Sequence, residues 1–265
     1  MTTDDRYAEL IRACLDGSPV TTRNAKCYRT IAHTARFTSA PLVCARKTAW
    51  KNALREMEWV LSGSDNVRDL HPSVRSWWEP WANSEGEIPL NYGDQLRSSC
   101  GNDGRVVDQV AQLLDGIANH PFSRRNVVTT WNTADMTSPR CPITNCWGTV
   151  IQAFVEPDDS LHIVTYQRSA DVVCGVPHNW IQMWAFLVWV AHRTGRTVGS
   201  LTWVGGDCHV YESHVPLARR ILDTQPARPA PELVHTPTSD EFRADDFTLS
   251  RPYLLAFTER VEMVV

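Results

Sequence analysis

Apolar positions recur along the chain at helical spacing in some stretches and at strand spacing in others, which predicts an α/β (α+β) fold. Leu10, Ile11 and Cys14 share one face of a first helix that Asp4 and Asp5 can cap and Gly17 stops. The polar residues 21–24 then lead into a strand ending near Phe37. A longer helix is expected over 47–61, with Gly63 as its terminator. On it Ala49, Ala53, Glu56 and Val60 fall on one face. Glu56 therefore lies on or beside an apolar stripe, an unusual place for a carboxylate.

Residues 77–96 are rich in Trp, Pro and Gly and read as an ordered loop. Helical periodicity returns over 106–117, followed by strand-like runs at 126–131, 148–155 and 161–166. Pro177 opens a helix to about Thr194, with Trp180, Trp184 and Trp189 read as core. A strand through Trp203 and a Gly205-Gly206 turn come next. The Pro-rich stretch 224–231 leads to a last strand and a tail. Nothing in this pattern marks a boundary, so residues 1–265 are read as a single domain with a mixed, twisted sheet flanked by helices.

Charge and composition narrow the function. A formal net charge of -4 argues against a nucleic-acid partner, which would call for a basic face. It leaves room for a small phosphorylated substrate, since a few focused arginines suffice to bind one. The N-terminus is polar, and no run approaches the ~20 apolar residues that span a bilayer. The eight cysteines form no CxxC pair and read as reduced thiols. A cytoplasmic protein without a membrane partner is expected.

Candidate chemistry gathers in a few places. Ser123-Arg124-Arg125 precedes a strand, where an arginine pair is usually a solvated edge. Tyr166-Gln167-Arg168-Ser169-Ala170-Asp171, followed by Gly175-Val176-Pro177-His178-Asn179, spans a strand-to-helix connection. Gly205-Gly206-Asp207-Cys208-His209-Val210-Tyr211 carries a carboxylate, an imidazole and a phenol. Cys146 follows a loop and precedes a strand, and neither it nor Cys141 has metal-ligand spacing, so no metal is expected.

Together these segments resemble thymidylate synthase and its relatives, the pyrimidine nucleotide hydroxymethylases, over nearly the whole chain and in the family's order. The segment Glu56-Met57-Glu58-Trp59-Val60-Leu61-Ser62-Gly63 is similar to the helix that carries the family's catalytic glutamate. Trp78, Trp81, Tyr92-Gly93 and Gln95 are similar to its Trp-rich loop, and the last six residues to its closing tail. The resemblance implies one-carbon transfer to C5 of a pyrimidine deoxynucleoside monophosphate, with 5,10-methylenetetrahydrofolate as co-substrate. It implies Cys146 as nucleophile, Glu56 as proton shuttle and Tyr92 as the group that removes the C5 proton. Arg23, Arg168 and Ser169 would hold the phosphate, with Arg124 and Arg125 reaching across a homodimer. Gln167 would bind the substrate, Asn179 its base, His209 and Tyr211 the sugar, and Trp78, Asp171 and Val265 the folate. An amide at Asn179, where cytosine-specific relatives carry aspartate, favours dUMP.

The chain departs from the family pattern in three places. The nucleophile stands in Asn145-Cys146-Trp147 instead of Pro-Cys-His, with slightly longer spacing around it, which leaves Cys141 as a rival. Leu255-Ala256-Phe257 replaces a Pro-His-Pro before the tail, and Asn24-Ala25-Lys26-Cys27 replaces a Gly- and Thr-rich loop. Because the tail and the nucleophile's surroundings control water access, these changes tilt the expected product to 5-hydroxymethyl-dUMP, with thymidylate synthesis as the alternative and a dCMP or CMP hydroxymethylase or a non-catalytic nucleotide-binding member as further readings.

Overall fold

The computed structural model of the protein describes residues 1–101, 103–142, 145–224, 229–253, 261 and 264. In chain order the helices are α1 (Thr3–Leu15), α2 (Trp50–Ser62), α3 (Pro72–Arg75), α4 (Tyr92–Arg97), α5 (Gln109–Asn119), α6 (Val176–Arg193) and α7 (Val215–Leu222). The strands are β1 (Pro19–Thr21), β2 (Lys26–Phe37), β3 (Ser99–Cys100), β4 (Val106–Val107), β5 (Val127–Val128), β6 (Val150–Val155), β7 (Ser160–Asp171), β8 (Thr197–Tyr211), β9 (Leu233–His235) and β10 (Phe247–Leu249).

Six strands form one mixed sheet in the order β1-β2-β8-β7-β6-β5. Only β7 and β8 run parallel, joined by α6 as the crossover that a parallel pair requires. Along β7, Leu161, Ile163, Thr165 and Gln167 are buried while Val164 and Tyr166 are exposed, so the helices cover one face. Under that cover Trp180 and Trp203 meet edge to face, and Tyr7 and Phe37 pack on Trp180. Trp180, Trp184 and Trp189 are all buried.

Several local boundaries differ from the periodicity for identifiable reasons. Thr2, not Asp4 or Asp5, caps α1: it accepts from Asp5 N, and Asp5 returns a bond to Thr2 N. Asp4 turns away and accepts from Cys44 N and Ala45 N. Within 77–96 the loop reading misses α4, which Asn91 starts by accepting from Gly93 N and Asp94 N. Residues 106–107 are a strand, and the helix begins only after the Asp108 cap. The 126–131 run is a strand only at Val127–Val128, whereas the 161–166 run extends over Ser160–Asp171.

Gly205 and Gly206 are not a turn, because β8 runs straight through them. A Cβ on Gly205 would lie 2.3 Å from Cys208 Sγ, and one on Gly206 would lie 2.4 Å from the Tyr166 hydroxyl. Close approach, not chain reversal, selects glycine there. No helix among the described residues is long and apolar enough to cross a membrane. The eight cysteines are free thiols.

Candidate active site

The carboxyl end of β7, the start of α6, the end of β8 and the buried face of α2 converge beside the loop that carries Cys146. The apolar stripe on α2 packs inward and takes Glu56 with it, to 9% exposure. Trp78 Nε1 donates to one oxygen of Glu56, and Gln182 Nε2 donates to the other at 2.6 Å. Burial pushes the carboxyl up to about 7, and the two donated bonds hold it back from going further. Glu56 can therefore both give and take a proton near neutrality.

Cys146 lies half-buried beside Tyr92. The Tyr92 hydroxyl is 3.2 Å from Cys146 Sγ and accepts from Cys146 N at 3.0 Å. The Tyr92 ring is held between Trp147, stacked at 4.9 Å, and Trp78, edge-on at 5.9 Å. Burial, and then the neighbouring thiol, push the Tyr92 phenol well above its ordinary value, so it stays neutral. Trp147, next to Cys146 in the sequence, is buried and packs behind Tyr92. Cys141 instead lines a small cavity with Asp135, Asn132 and Trp131.

Arg168 is drawn to the same loop: its N donates to Cys146 O and its Nε to Asn145 O, each at 3.0 Å. Its guanidinium lies 5.2 Å from the Trp131 ring centroid, a cation–π contact. Next along β7, Gln167 Nε2 donates to Asn179 Oδ1 at 3.0 Å and to Ser169 O at 3.1 Å. Asn179, on the first turn of α6, donates through Nδ2 to Gln182 Oε1 at 3.2 Å. Gln182, three residues on, is on the same helix face and so reaches Glu56.

At the other side of β7, Asp171 stands in register with His209 of β8. Asp171 Oδ1 accepts from Val173 N and Cys174 N, which fixes the turn into α6. His209 Nδ1 is 3.0 Å from Asp207 Oδ1, and its ring lies 4.9 Å from that of Tyr211. The His209 bond, reinforced by Arg29 at 2.9 Å, holds the Asp207 carboxyl below its ordinary range. Arg23 is exposed on the turn between β1 and β2. Cys27, one residue past Lys26 of the Thr21↔Lys26 pair, pairs with Tyr211, so that turn stands at the Tyr211 end of the sheet.

Cys146, Tyr92, Glu56, Trp78, Gln167, Arg168 and Asn179 thus form one connected group, with Ser169, Asp171, His209 and Tyr211 along its β7–β8 edge. Arg124 and Arg125 are exposed before the edge strand β5 and are not part of that group. Val265 and most of the tail lie outside the described residues. His178 is engaged on both nitrogens, by Ala49 N at 3.1 Å and Cys174 O at 2.9 Å. Burial, then the Arg46 charge, push it down to about 4, so it is neutral. Sequence reasoning missed Gln182, whose one signal was its helical spacing from Asn179. Asp207 was within a recognised motif without an assigned task. No cluster of three or more metal-type side chains occurs among the described residues.

Two comparisons with known proteins bear on this site. The family model described as "Thymidylate synthase" matches residues 5–263. A thymidylate synthase from Corynebacterium aurimucosum is 36% identical over 211 residues, spanning 79% of this chain and 77% of its own.

Proposed function

Because the chain belongs to the thymidylate synthase family, we infer that it moves the one-carbon unit of 5,10-methylenetetrahydrofolate to C5 of dUMP, forming dTMP and dihydrofolate. The observation that carries this reading is the contact between Cys146 Sγ and the Tyr92 hydroxyl, set beside a buried Glu56 poised near neutrality. Both comparisons favour methyl transfer over the 5-hydroxymethyl product to which the altered tail and Trp147 pointed. Trp147, which prompted the hydroxymethyl expectation, is buried and stacked behind Tyr92 as a packing residue.

Pyrimidine C5 becomes nucleophilic only when something adds at C6, and a thiolate both adds and leaves well. Cys146 adds to C6 and places an electron pair on C5. The folate supplies the one-carbon unit and the hydride. Arg168, anchored on the Cys146 loop, meets the phosphate with Ser169 and Arg23. Tyr92, neutral and in contact with the thiol, takes the C5 proton only by passing its own onward, which makes it a relay. Glu56 exchanges protons with the base and folate through water. His209 and Tyr211 bind the sugar, and Asn179 faces the base with Gln167 bonded behind it. Trp78, its indole N–H already given to Glu56, offers the folate its ring, and Asp171 its second oxygen. Tyr92→Phe keeps the ring stacking and is expected to lower kcat about 10²-fold with little change in dUMP affinity, measured by steady-state kinetics and titration.

The phosphate site is proposed to be completed in a homodimer. Val127, Val150, Val164 and Tyr166 line up by register on the uncovered sheet face and are all exposed. Arg124 and Arg125 stand one residue, Asn126, before Val127, so a second copy seated on this face would carry its arginine pair near it too. Arg125→Ala is expected to raise KM for dUMP about tenfold while the melting temperature and dimer mass hold. A fully active monomer would contradict the shared site. The substrate assignment is tested with an equimolar mixture of dUMP, dCMP, UMP and CMP: dUMP alone should be modified, and modification of dCMP would overturn it.

A further inference from the structure

Gln182 is fully buried between the group proposed to read the base and the group proposed to move protons. An amide side chain fits its space either way round, with opposite hydrogen-bonding sense, so something must decide which way it points. Here the decision comes from both ends of a chain of bonds. Trp203 Nε1–H can only donate, so Gln167 presents Oε1 to it at 2.8 Å and keeps Nε2 for Asn179 Oδ1. The Ala53 carbonyl can only accept, so Gln182 presents Nε2 to it at 3.0 Å and keeps Oε1 for Asn179 Nδ2. Glu56 reinforces this sense through its bond from Gln182 at 2.6 Å, and Ala53 maintains it when Glu56 is protonated.

Asn179 is thereby held on both sides, with one lone pair and one N–H left to face a ligand. Uracil offers N3–H and O4, which match that pair; cytosine offers the reverse and needs the amide turned over. Turning it over would set N–H against N–H at Gln167 and oxygen against oxygen at Gln182. We propose that Gln182 is a positioning residue that locks the Asn179 amide in its uracil-reading sense, so that base choice is set by the whole chain from Trp203 to Ala53. This rests on Asn179 being the residue that meets the base.

The test compares Gln182→Met, Gln182→Glu and Asn179→Asp in the full chain, by the ratio of dCMP to dUMP dissociation constants together with melting temperature. Methionine keeps the volume and removes the lock, so the ratio should fall about tenfold, the worth of one hydrogen bond. Glutamate keeps an oxygen toward Asn179 and can share a proton with Glu56, so the ratio should stay within about twofold even where turnover drops. A ratio unchanged in Gln182→Met, or equally reduced in both Gln182 variants, overturns the lock. If Gln182→Met is too unstable to assay, Trp203→Phe opens the other end of the chain, and an unchanged ratio there overturns it. An unchanged ratio in Asn179→Asp shows instead that Asn179 does not read the base.

Discussion

Cys146→Ser is expected to abolish turnover, lowering kcat by at least ~10⁴-fold, while dUMP still binds and the protein still folds. The oxygen of serine can keep the contact with the Tyr92 hydroxyl and the backbone bond from residue 146 to Tyr92 is untouched, so the change in stability should stay within about 1 kcal/mol. What is lost is the chemistry: a hydroxyl is far from ionised at neutral pH, and it neither adds to C6 nor leaves again as a thiolate does. Cys141→Ser is the matched control and should retain nearly full activity. Single-turnover assays and denaturation curves on the two variants check both halves. Loss of activity in Cys141→Ser, with Cys146→Ser active, would move the nucleophile to the small cavity beside Asp135.

Glu56→Gln is the second large effect, a fall in kcat of about 10² to 10⁴ with a flatter pH profile, because the group that exchanges protons near neutrality is gone. The same substitution has a stability signature. The folded-state carboxyl sits at about 7 against an ordinary 4.5, so between those values the folded protein keeps a proton that the unfolded chain has released. Stability from this group is present below about pH 4.5 and is lost as pH rises to about 7, by about 3 kcal/mol in all. Glutamine carries no such dependence; its amide nitrogen must face either Trp78 or Gln182, both donors, at a cost that does not change with pH. The variant should therefore gain on the wild type by about 3 kcal/mol between pH 4.5 and 7 in chemical denaturation. A constant difference across that range would mean that Glu56 is not held as a protonated buried acid.

Much of this site was legible in the chain itself. Helical period alone placed Glu56 on the apolar face of α2, and burial there is what raises its carboxyl to about 7. The run from Tyr166 to Asp171 followed by Asn179 was legible because polar residues crowd a strand-to-helix connection, where backbone ends and side chains meet. Local signals failed where distant residues decide the outcome. Gly205-Gly206 carries the signature of a turn, yet the glycines answer to Cys208, Trp203 and Tyr166 packed against a straight strand. Gln182 sits in a run of tryptophan, methionine and aliphatic residues, and its helical spacing from Asn179 is its one signal; its other bonds exist only once α2 brings Ala53 and Glu56 beside it. The α4 helix was hidden by the Trp- and Pro-rich composition around it, although Asn91 carries its cap. Trp147 looked like a change at the nucleophile, whereas its ring supports Tyr92 from behind.

The identity of the nucleotide product decides between methyl and hydroxymethyl transfer. Purified protein incubated with dUMP and 5,10-methylenetetrahydrofolate is analysed by mass spectrometry of the nucleotide and by absorbance of the folate. A methyl group on dUMP with one dihydrofolate formed per turnover is the predicted result. A hydroxymethyl group, with tetrahydrofolate left unoxidised, would contradict it and show that water, not hydride, completes the transfer.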